Sequence, residues 1–334
     1  IFVGAAGHWH VHWTVVYILT ISIVLFMKNN IFNKIIQNRT LMLNIILDND
    51  YLSNCANLYI IKNKKEVKDL IANKHFIDIL QTHQKIVITT NREEQVIVLL
   101  KQIQLSEKYI SLDLDGLNLN KLTIILQNQA LGMVKQIRLC YLIDDLIHLD
   151  LDGVIDKFIE FNGHKILLIY LNRFDNINKT FWNKLFLKLK KNKIILNILP
   201  LPRKILGELT QKYDRDSYIL MFNMLKFFEN KYRLQVFYDF PCGSVLNKRF
   251  EGFCPGYFSL TVFSDGNISF CKFAKINFGN MYFDELKKIN QNRINYLNNI
   301  PLACCKKCKY YLVCGGGCLL DLDTENQKNL ICFL

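Results

Sequence analysis

Cysteine is the residue type in this sequence with the clearest capacity for chemistry, because its thiolate is a strong ligand for zinc and iron. The chain has 11 cysteines in 334 residues, and most of them lie between Cys242 and Cys332. The segment from Cys305 to Cys318 has the spacing C-x2-C-x5-C-x3-C. Four thiolates hold one tetrahedral zinc or one [4Fe–4S] cluster, so the region has enough ligands for two centres.

The residues around these cysteines help to choose the metal. Val262–Asn267 followed by Ile268–Cys271 predicts a β-hairpin with a tight Asp-Gly turn. Three consecutive glycines, Gly315–Gly317, let the backbone approach a bulky cluster and expose amide groups to its sulfurs. The close C-x2-C spacing favours metal ligands in a reducing compartment over disulfides. These features favour iron–sulfur clusters, with a pair of structural zinc sites as the alternative.

The residues upstream of the cysteines alternate between strand and helix patterns. Six β-rich runs occupy Leu41–Leu47, Lys85–Thr89, Tyr109–Leu114, Ile137–Tyr141, Lys165–Tyr170 and Lys193–Leu199. Amphipathic stretches fill the gaps at Glu66–Ile71, Glu93–Ile103, Leu119–Leu126, Leu142–Phe161 and Phe181–Leu189. Such alternation is typical of βα units on a parallel sheet, and six units fit a partial barrel rather than a complete eightfold one. A longer helical stretch, Arg203–Tyr232, leads into a further strand at Leu234–Tyr238.

Pro241-Cys242-Gly243 interrupts this alternation and predicts a domain boundary. We expect three parts: an apolar N-terminal segment over 1–39, a barrel over 40–240 and a cysteine-rich domain over 241–334. Residues 1–27 carry no charged side chain, and the apolar run Val11–Met27 reaches the lower length limit for a bilayer span. The basic residues after it would place the downstream chain in the cytoplasm. A membrane anchor and a buried strand or helix both remain open for this segment.

The charge of the chain favours acidic partners. Lys and Arg number 42 against 29 Asp and Glu, which gives a formal net charge of +13. No part of the sequence interleaves basic and aromatic residues in the way that nucleic-acid modules do. We therefore expect no nucleic-acid binding.

The cysteine pattern resembles a known family. Cys254-x11-Gly266-x4-Cys271, then the C-x2-C-x5-C-x3-C segment, then Cys332 is similar to the seven-cysteine signature of the SPASM domain. That domain is the C-terminal extension of radical S-adenosylmethionine (radical SAM) enzymes that mature peptides and proteins. The resemblance implies two auxiliary [4Fe–4S] clusters. Its ligand sets would be Cys254, Cys271, Cys318 and the upstream Cys242 for the first cluster, and Cys305, Cys308, Cys314 and Cys332 for the second.

The barrel departs from that family in two motifs. The family has C-x3-C-x2-C after the first strand, where three thiolates hold the cluster that binds the cofactor. Here Cys55 is the single cysteine in that segment, and Tyr59 and Lys62 stand at the other two positions. The family's Gly-Gly-Glu motif after the second strand is replaced by Thr89–Glu94. The resemblance is therefore to a degenerate form, for which a competent S-adenosylmethionine site is not expected.

The expected function is accessory. We expect a pseudo-enzyme that helps an active radical SAM maturase to handle a ribosomally made precursor peptide, in the cytoplasm or tethered to its membrane. One alternative is an active radical SAM enzyme whose cofactor cluster has atypical ligands. Another is a haloacid-dehalogenase-like phosphotransferase with Asp113 as nucleophile and Asp115 as acid–base, although the repeated Asp-Leu-Asp-Gly at Asp150 favours turns. Cys140, on the fourth strand, is expected to be a buried core thiol.

Overall fold

The computed structural model describes residues 42–47, 67–102, 108–171, 178–201, 215–238, 259–274, 276–299, 322–323 and 328–329. They belong to one unit that covers Leu41–Leu334, and residues 1–40 lie outside the described ranges. The possible membrane segment at 1–27 therefore also lies outside them. In the described ranges no helix is both long and apolar enough to cross a bilayer.

One large sheet dominates the compact unit. Its strands are β1 Met42–Ile46, β2 Lys85–Thr90, β3 Tyr109–Asp115, β4 Val134–Leu142, β5 His164–Leu171, β6 Ile195–Pro200, β7 Val236–Tyr238, β8 Ser259–Phe263, β9 Asn267–Ser269 and β10 Gly279–Asn280. Their spatial order is β10-β9-β8-β1-β2-β3-β4-β5-β6-β7. All pairs from β8 to β7 are parallel, and β9 and β10 are added antiparallel at one end. A separate small pair joins β11 Leu322–Asp323 to β12 Lys328–Asn329.

Helices connect the strands. They are α1 Val67–Ala72, α2 Lys74–Thr82, α3 Glu93–Gln102, α4 Leu119–Leu126, α5 Ile143–His148, α6 Leu151–Phe158, α7 Lys179–Lys191, α8 Arg215–Tyr232 and α9 Leu286–Asn298, with a short 3₁₀ helix at Gln129–Met133. The predicted α/β class and partial barrel are confirmed. Each of the six predicted strands overlaps an observed one, as does the predicted strand at Leu234–Tyr238.

Two local predictions need correction. The amphipathic stretch Leu142–Phe161 is two helices, because Asp150 begins a new one by accepting the backbone N–H of Gly153. The two Asp-Leu-Asp-Gly segments therefore differ in structure. Asp113 and Asp115 end β3 and only Gly116 turns, with a positive φ of 62°, whereas Asp150 is a helix N-cap.

The two faces of the sheet differ in chemistry. Alternate residues of each strand point to one face, and on the helix-covered face these are apolar and buried; they include Ile86, Ile88, Ile110, Leu112, Leu114, Ile137, Leu139, Leu167, Ile169, Leu196 and Ile198. The other face, which is the interior of the barrel, carries polar side chains on several strands: Thr89, Ser111, Asp113, Asp115, Asn197, Ser259 and Thr261. These interior polar groups are the candidates for a functional site.

Candidate functional site

Strands β3 and β4 place matched polar side chains side by side in the barrel. Their register sets Ser111 opposite Gln136, Asp113 opposite Arg138 and Asp115 opposite Cys140. Gln136 donates from Nε2 to Ser111 Oγ at 3.0 Å. The Arg138 guanidinium donates from Nε and Nη2 to the two carboxylate oxygens of Asp113, at 2.6 and 2.5 Å. This bidentate arrangement is the strongest common form of an arginine–carboxylate pair.

Tyr170 and Lys272 complete a buried charge cluster, which we define as Asp113, Asp115, Arg138, Tyr170 and Lys272. The Lys272 ammonium donates to Tyr170 Oη at 2.6 Å, and Tyr170 in turn donates to Asp115 Oδ1 at 3.0 Å. Lys272 Nζ also lies 3.8 Å from Asp113 Oδ2 and 3.9 Å from Asp115 Oδ2. Two carboxylates thus face two cations, so the formal charges balance inside the barrel.

The electrostatics of the buried charge cluster keep Lys272 charged. Burial lowers the pKa of Lys272, but the neighbouring Asp115 and Asp113 carboxylates more than offset it and leave that pKa above its ordinary value. Burial, together with the nearby Asp115, raises the pKa of Tyr170 well above its ordinary range. The tyrosine therefore stays a neutral hydroxyl that accepts from Lys272 and donates to Asp115.

Cys140 borders the buried charge cluster. It is fully buried, as predicted, but it lies on the polar interior face opposite Asp115 rather than among the apolar side chains. Burial and the Asp115 and Asp113 carboxylates raise the pKa of its thiol well above the ordinary value. A protonated, buried thiol is a poor nucleophile and a poor metal ligand.

Asp113 is poorly suited to the phosphotransferase alternative. Both of its carboxylate oxygens are bound by Arg138, and the side chain is almost fully buried. A nucleophilic carboxylate must instead reach a phosphoryl group with a free oxygen. The structure gives Asp113 a pairing role inside the barrel.

Lys272 shows how strongly the sheet is curved. It follows β9, which is six strands away from the Tyr170 strand β5 in the sheet order. In a flat sheet those strands would be about 29 Å apart at the usual spacing. Nevertheless the Lys272 ammonium lies 5.1 Å from the Tyr170 ring centroid, and the Phe273 ring meets Tyr170 edge-on at 6.0 Å. The end of the hairpin is therefore held against the far side of the barrel interior.

Cys271 immediately precedes these two contacts. It is half-buried, and its sulfur accepts the backbone N–H of Phe273 at 3.5 Å. The turn is closed by a second bond, from the Ala274 N–H to the Cys271 carbonyl at 3.0 Å. Amide N–H groups directed at sulfur are typical of cysteines that bind metals, where they stabilise the thiolate. Cys271 is thus presented in a geometry that suits a cluster ligand.

The hairpin that carries Cys271 forms as predicted. β8 and β9 pair antiparallel, and Gly266 turns between them with a φ of 84°. A Cβ at Gly266 would collide with the Tyr282 ring. The hairpin does not stand apart from the barrel, because β8 pairs in parallel with β1 over five residues, from Met42–Ser259 to Ile46–Phe263.

Of the eight predicted metal ligands, the described residues include only Cys271. Cys242, Cys254, Cys305, Cys308, Cys314, Cys318 and Cys332 lie outside them, as does Cys55. Consistent with that coverage, no group of three or more His, Cys, Asp or Glu side chains in the described part is arranged to hold a metal ion. The ligand sets therefore remain predictions.

The end of β2 is described in full. Thr89 and Thr90, where the resembling family has glycines, are buried, and the Thr90 hydroxyl accepts the backbone N–H of Arg92 at 3.0 Å. Glu93 is the first residue of α3, and its carboxylate lies 3.7 Å from Lys121 Nζ. At the end of β2, these described side chains therefore make contacts within the protein.

The sequence prediction missed the buried charge cluster. A signal was present: polar residues alternate along two otherwise apolar strands, at Ser111, Asp113 and Asp115 of β3 and at Gln136 and Arg138 of β4. Alternation of this kind in buried strands indicates a polar interior face. Nothing local to residue 272 indicates its partners.

Comparison with known proteins gives structural but no sequence relatives. No family model matches the chain, and no curated protein matches it by sequence. The fold is similar to Streptococcus suis SuiB bound to S-adenosylmethionine, with 13% identity and a TM-score of 0.60 over 89% of this chain and 76% of that one. It is also similar to native anSMEcpe with bound AdoMet and the Kp18Cys peptide, with 16% identity and a TM-score of 0.53 over 88% and 92%. The chain therefore has a partial-barrel fold of the radical SAM type.

Proposed function

We propose that this protein is an accessory member of the radical SAM/SPASM group. It would carry two [4Fe–4S] clusters and assist an active maturase in modifying a ribosomally made peptide. Three observations support this: the fold, the cysteine signature and a structural neighbour that was solved with a peptide bound. The proposal includes a barrel over 40–240 and a SPASM domain over 241–334.

The observation that carries the proposal is the setting of Cys271. Its sulfur accepts an amide N–H, and the turn that holds it is anchored to the barrel by Lys272 and Phe273. In the proposed assignment Cys271 joins Cys242, Cys254 and Cys318 on the first cluster. The second cluster is held by Cys305, Cys308, Cys314 and Cys332. When bound, such clusters supply either an electron-transfer step or a rigid scaffold.

The accessory role is supported by what surrounds the barrel mouth. The end of β2 has buried threonines instead of glycines, and the segment after β1 offers a single thiol. The barrel interior near β3 to β5 is occupied by the protein's own charge-balanced cluster. These features favour a barrel that holds no competent cofactor site, in a reducing compartment such as the cytoplasm, with residues 1–27 as a candidate tether.

The second candidate is an active radical SAM enzyme with atypical cluster ligands. It is supported by both structural neighbours, each of which has S-adenosylmethionine bound. Anaerobic reconstitution separates the two candidates. The accessory protein should hold about eight irons per chain and should not cleave S-adenosylmethionine under reductant. About twelve irons together with release of 5′-deoxyadenosine would overturn the accessory role.

A pair of cysteine variants tests the ligand assignment. Cys271→Ala should lose one cluster, or about four irons, and should melt at a lower temperature because folding is coupled to metal binding. Cys140→Ala is the matched control, since that thiol is buried, protonated and outside the signature. Its iron content should equal that of the wild type. Unchanged iron and melting in Cys271→Ala would show that the assignment is wrong.

A further inference from the structure

Basic residues mark the amino ends of six neighbouring strands. Because parallel strands start at the same edge of a sheet, residues at their starts form one row. We call this row the basic rim, and it consists of Lys85 on β2, Lys108 before β3, Lys135 on β4, Lys165 on β5, Lys193 before β6 and Arg233 before β7. The order follows the sheet from β2 to β7 without a gap.

Part of the basic rim has a structural role. The Lys108 ammonium donates to the carbonyls of Gln81 and His83, at 3.0 and 2.7 Å. Lys165 donates to the carbonyl of Phe161 at 2.6 Å and to that of Gly163 at 3.4 Å. These two lysines satisfy carbonyls that would otherwise lack donors near the ends of the preceding helices. The positions of Lys108 and Lys165 are therefore explained by these hydrogen bonds, and no ligand is needed to account for them.

Lys85 is exposed but lies over the Tyr109 ring, and the other three exposed members of the basic rim have no such explanation. Lys135, Lys193 and Arg233 are exposed, and within the described ranges their side chains form no ion pair or hydrogen bond. Between α6 and β5, the one nearby carboxylate, Glu160, is already paired with Lys157 at 2.6 Å. Among the described residues, the positive charges of Lys135, Lys193 and Arg233 are therefore not neutralised by an ion pair.

Lys193 and Arg233 occupy a backbone conformation that disfavours them. Their φ angles are 55° and 48°, in the left-handed region. Each follows a helix and closes the same type of turn. Lys193 and Ile194 donate to the carbonyls of Lys190 and Leu189, and Arg233 and Leu234 donate to those of Asn230 and Glu229. This is the Schellman motif, whose left-handed position is normally glycine.

The helix dipole does not account for these two residues. Cations near a helix C-terminus are favourable, but the last turns of α7 and α8 already contain Lys190, Lys191 and Lys231 in unstrained helical positions. A further cation in a strained conformation just beyond the helix end adds little to the favourable interaction with the helix dipole. Two neighbouring turns thus place a basic side chain where glycine would make the fold more stable, and such strained positions are often found where a side chain has a function.

We propose that the basic rim binds an extended acidic peptide segment, chiefly through Lys193 and Arg233 at its β6–β7 end. This inference rests on the proposed role in peptide maturation and identifies the part of the peptide that the protein holds. At the usual strand spacing the row is about 24 Å long, which an extended peptide of about seven or eight residues would match. Carboxylates on such a peptide would pair with the exposed members of the row.

The chemistry of the rim favours a peptide over two other polyanions. Single-stranded nucleic acids need exposed aromatic faces for stacking. Two aromatic rings described near this edge are instead engaged within the protein, since Lys85 Nζ lies 5.7 Å from the Tyr109 ring centroid and Tyr232 stacks on Phe228. The starts of tilted barrel strands follow a curved line, which a flexible peptide can follow but a flat bilayer meets only in part. The partner is therefore an acidic stretch of polypeptide.

The test measures binding by the full-length protein. The probe is a fluorescent peptide of about eight residues in which Glu alternates with Ala, and its Gln analogue is the neutral reference. Lys193→Gly/Arg233→Gly should weaken binding of the Glu peptide about tenfold. The same variant should melt higher, by about 1–2 °C for each relieved turn, because glycine fits the left-handed position. A gain in stability with a loss of binding is not expected from a purely structural role.

A second variant controls for net charge. Lys184→Gln/Lys288→Gln removes the same number of positive charges from residues that are 69% and 66% exposed and lie within helices α7 and α9, outside the row of strand starts. It should leave the affinity within about twofold, because distant surface charges are screened. An equal loss in both variants, or no loss in the glycine variant, would overturn the proposal. So would rim-dependent binding to phosphatidylserine vesicles without binding to the peptide.

Iron and sulfide are measured on the same preparation. Peptide binding by a protein without clusters would support the proposed peptide site on the basic rim and refute the proposed cluster-bearing function. Clusters in a protein that does not bind the peptide would support the cluster-bearing function and refute the peptide site.

Discussion

Lys272→Met tests whether the buried charge cluster stabilises the barrel. The substitution removes the ammonium and keeps most of the side-chain volume, so packing around the stem should change little. It leaves Asp113 and Asp115 facing Arg138 alone, with one uncompensated negative charge. It also removes the donor to Tyr170 Oη. The buried pair of carboxylates is then no longer neutralised.

The expected magnitude follows from the geometry. At separations of 3.8 and 3.9 Å, each attraction between Lys272 and an Asp is about 4 kcal/mol at an effective dielectric constant of about 20. Desolvation of the ammonium cancels much of this gain. The side chains of Asp113, Asp115 and Lys272 are 2%, 0% and 14% exposed, so both ion pairs of Lys272 are buried. Loss of one partner from a buried pair costs about 3–5 kcal/mol.

Urea unfolding of wild type and variant measures this free energy. Lys288→Met is the matched control, because Lys288 pairs with Asp284 at 3.0 Å but is 66% exposed. Its loss should cost less than about 1 kcal/mol. Asp115→Asn in the Lys272→Met background should recover part of the stability, since the amide removes the excess charge. A Lys272→Met cost no larger than that of Lys288→Met would refute the stabilising role of the cluster.

Two further predictions concern the hairpin and pH. Gly266→Ala should lower the free energy of unfolding by at least about 1–2 kcal/mol, because of its positive φ, and should displace the Tyr282 ring. Gly132→Ala is its control, since a Cβ there meets nothing within 4 Å, and an equal cost for both would contradict the turn geometry. Burial lowers the pKa of His83 in the folded protein, so as the pH falls the unfolded chain binds a proton at His83 before the folded protein does. The stability present above about pH 6.5 should therefore decrease at lower pH, by up to about 1.4 kcal/mol per pH unit. Thermal unfolding at several pH values should show a smaller acid loss in His83→Gln, and an identical loss would exclude this origin.

The strands and the hairpin were predictable because their signals are local. β-rich runs separated by amphipathic stretches define β1 to β6, and the Asp265-Gly266 pair defines the turn before Cys271. The split of α5 and α6 was missed, because an N-cap inside an amphipathic stretch does not interrupt the apolar pattern. Asp150 was instead assigned to a turn, because aspartate is common both in turns and at helix N-caps.

The buried charge cluster could not be predicted in the same way. Its members come from β3, β4, β5 and the turn after β9, and only barrel closure brings Lys272 to Asp115 and Tyr170. The pairing of β8 with β1 could not be predicted from local sequence either. Parallel pairing leaves no turn signature between the partners, so the sequence predicts the hairpin but not the strand on which it is placed.

That pairing has a consequence for how the chain is made. β1 and β8 are separated by more than 200 positions in the chain, as their register pair Met42–Ser259 shows. At ordinary translation rates this interval corresponds to about 10–40 s, during which one edge of β1 is left without its native neighbour. An open strand edge is a template for association with other chains. Nascent protein that has emerged only as far as β7 should therefore be the species most dependent on chaperones, and release of the last third of the chain should end that dependence.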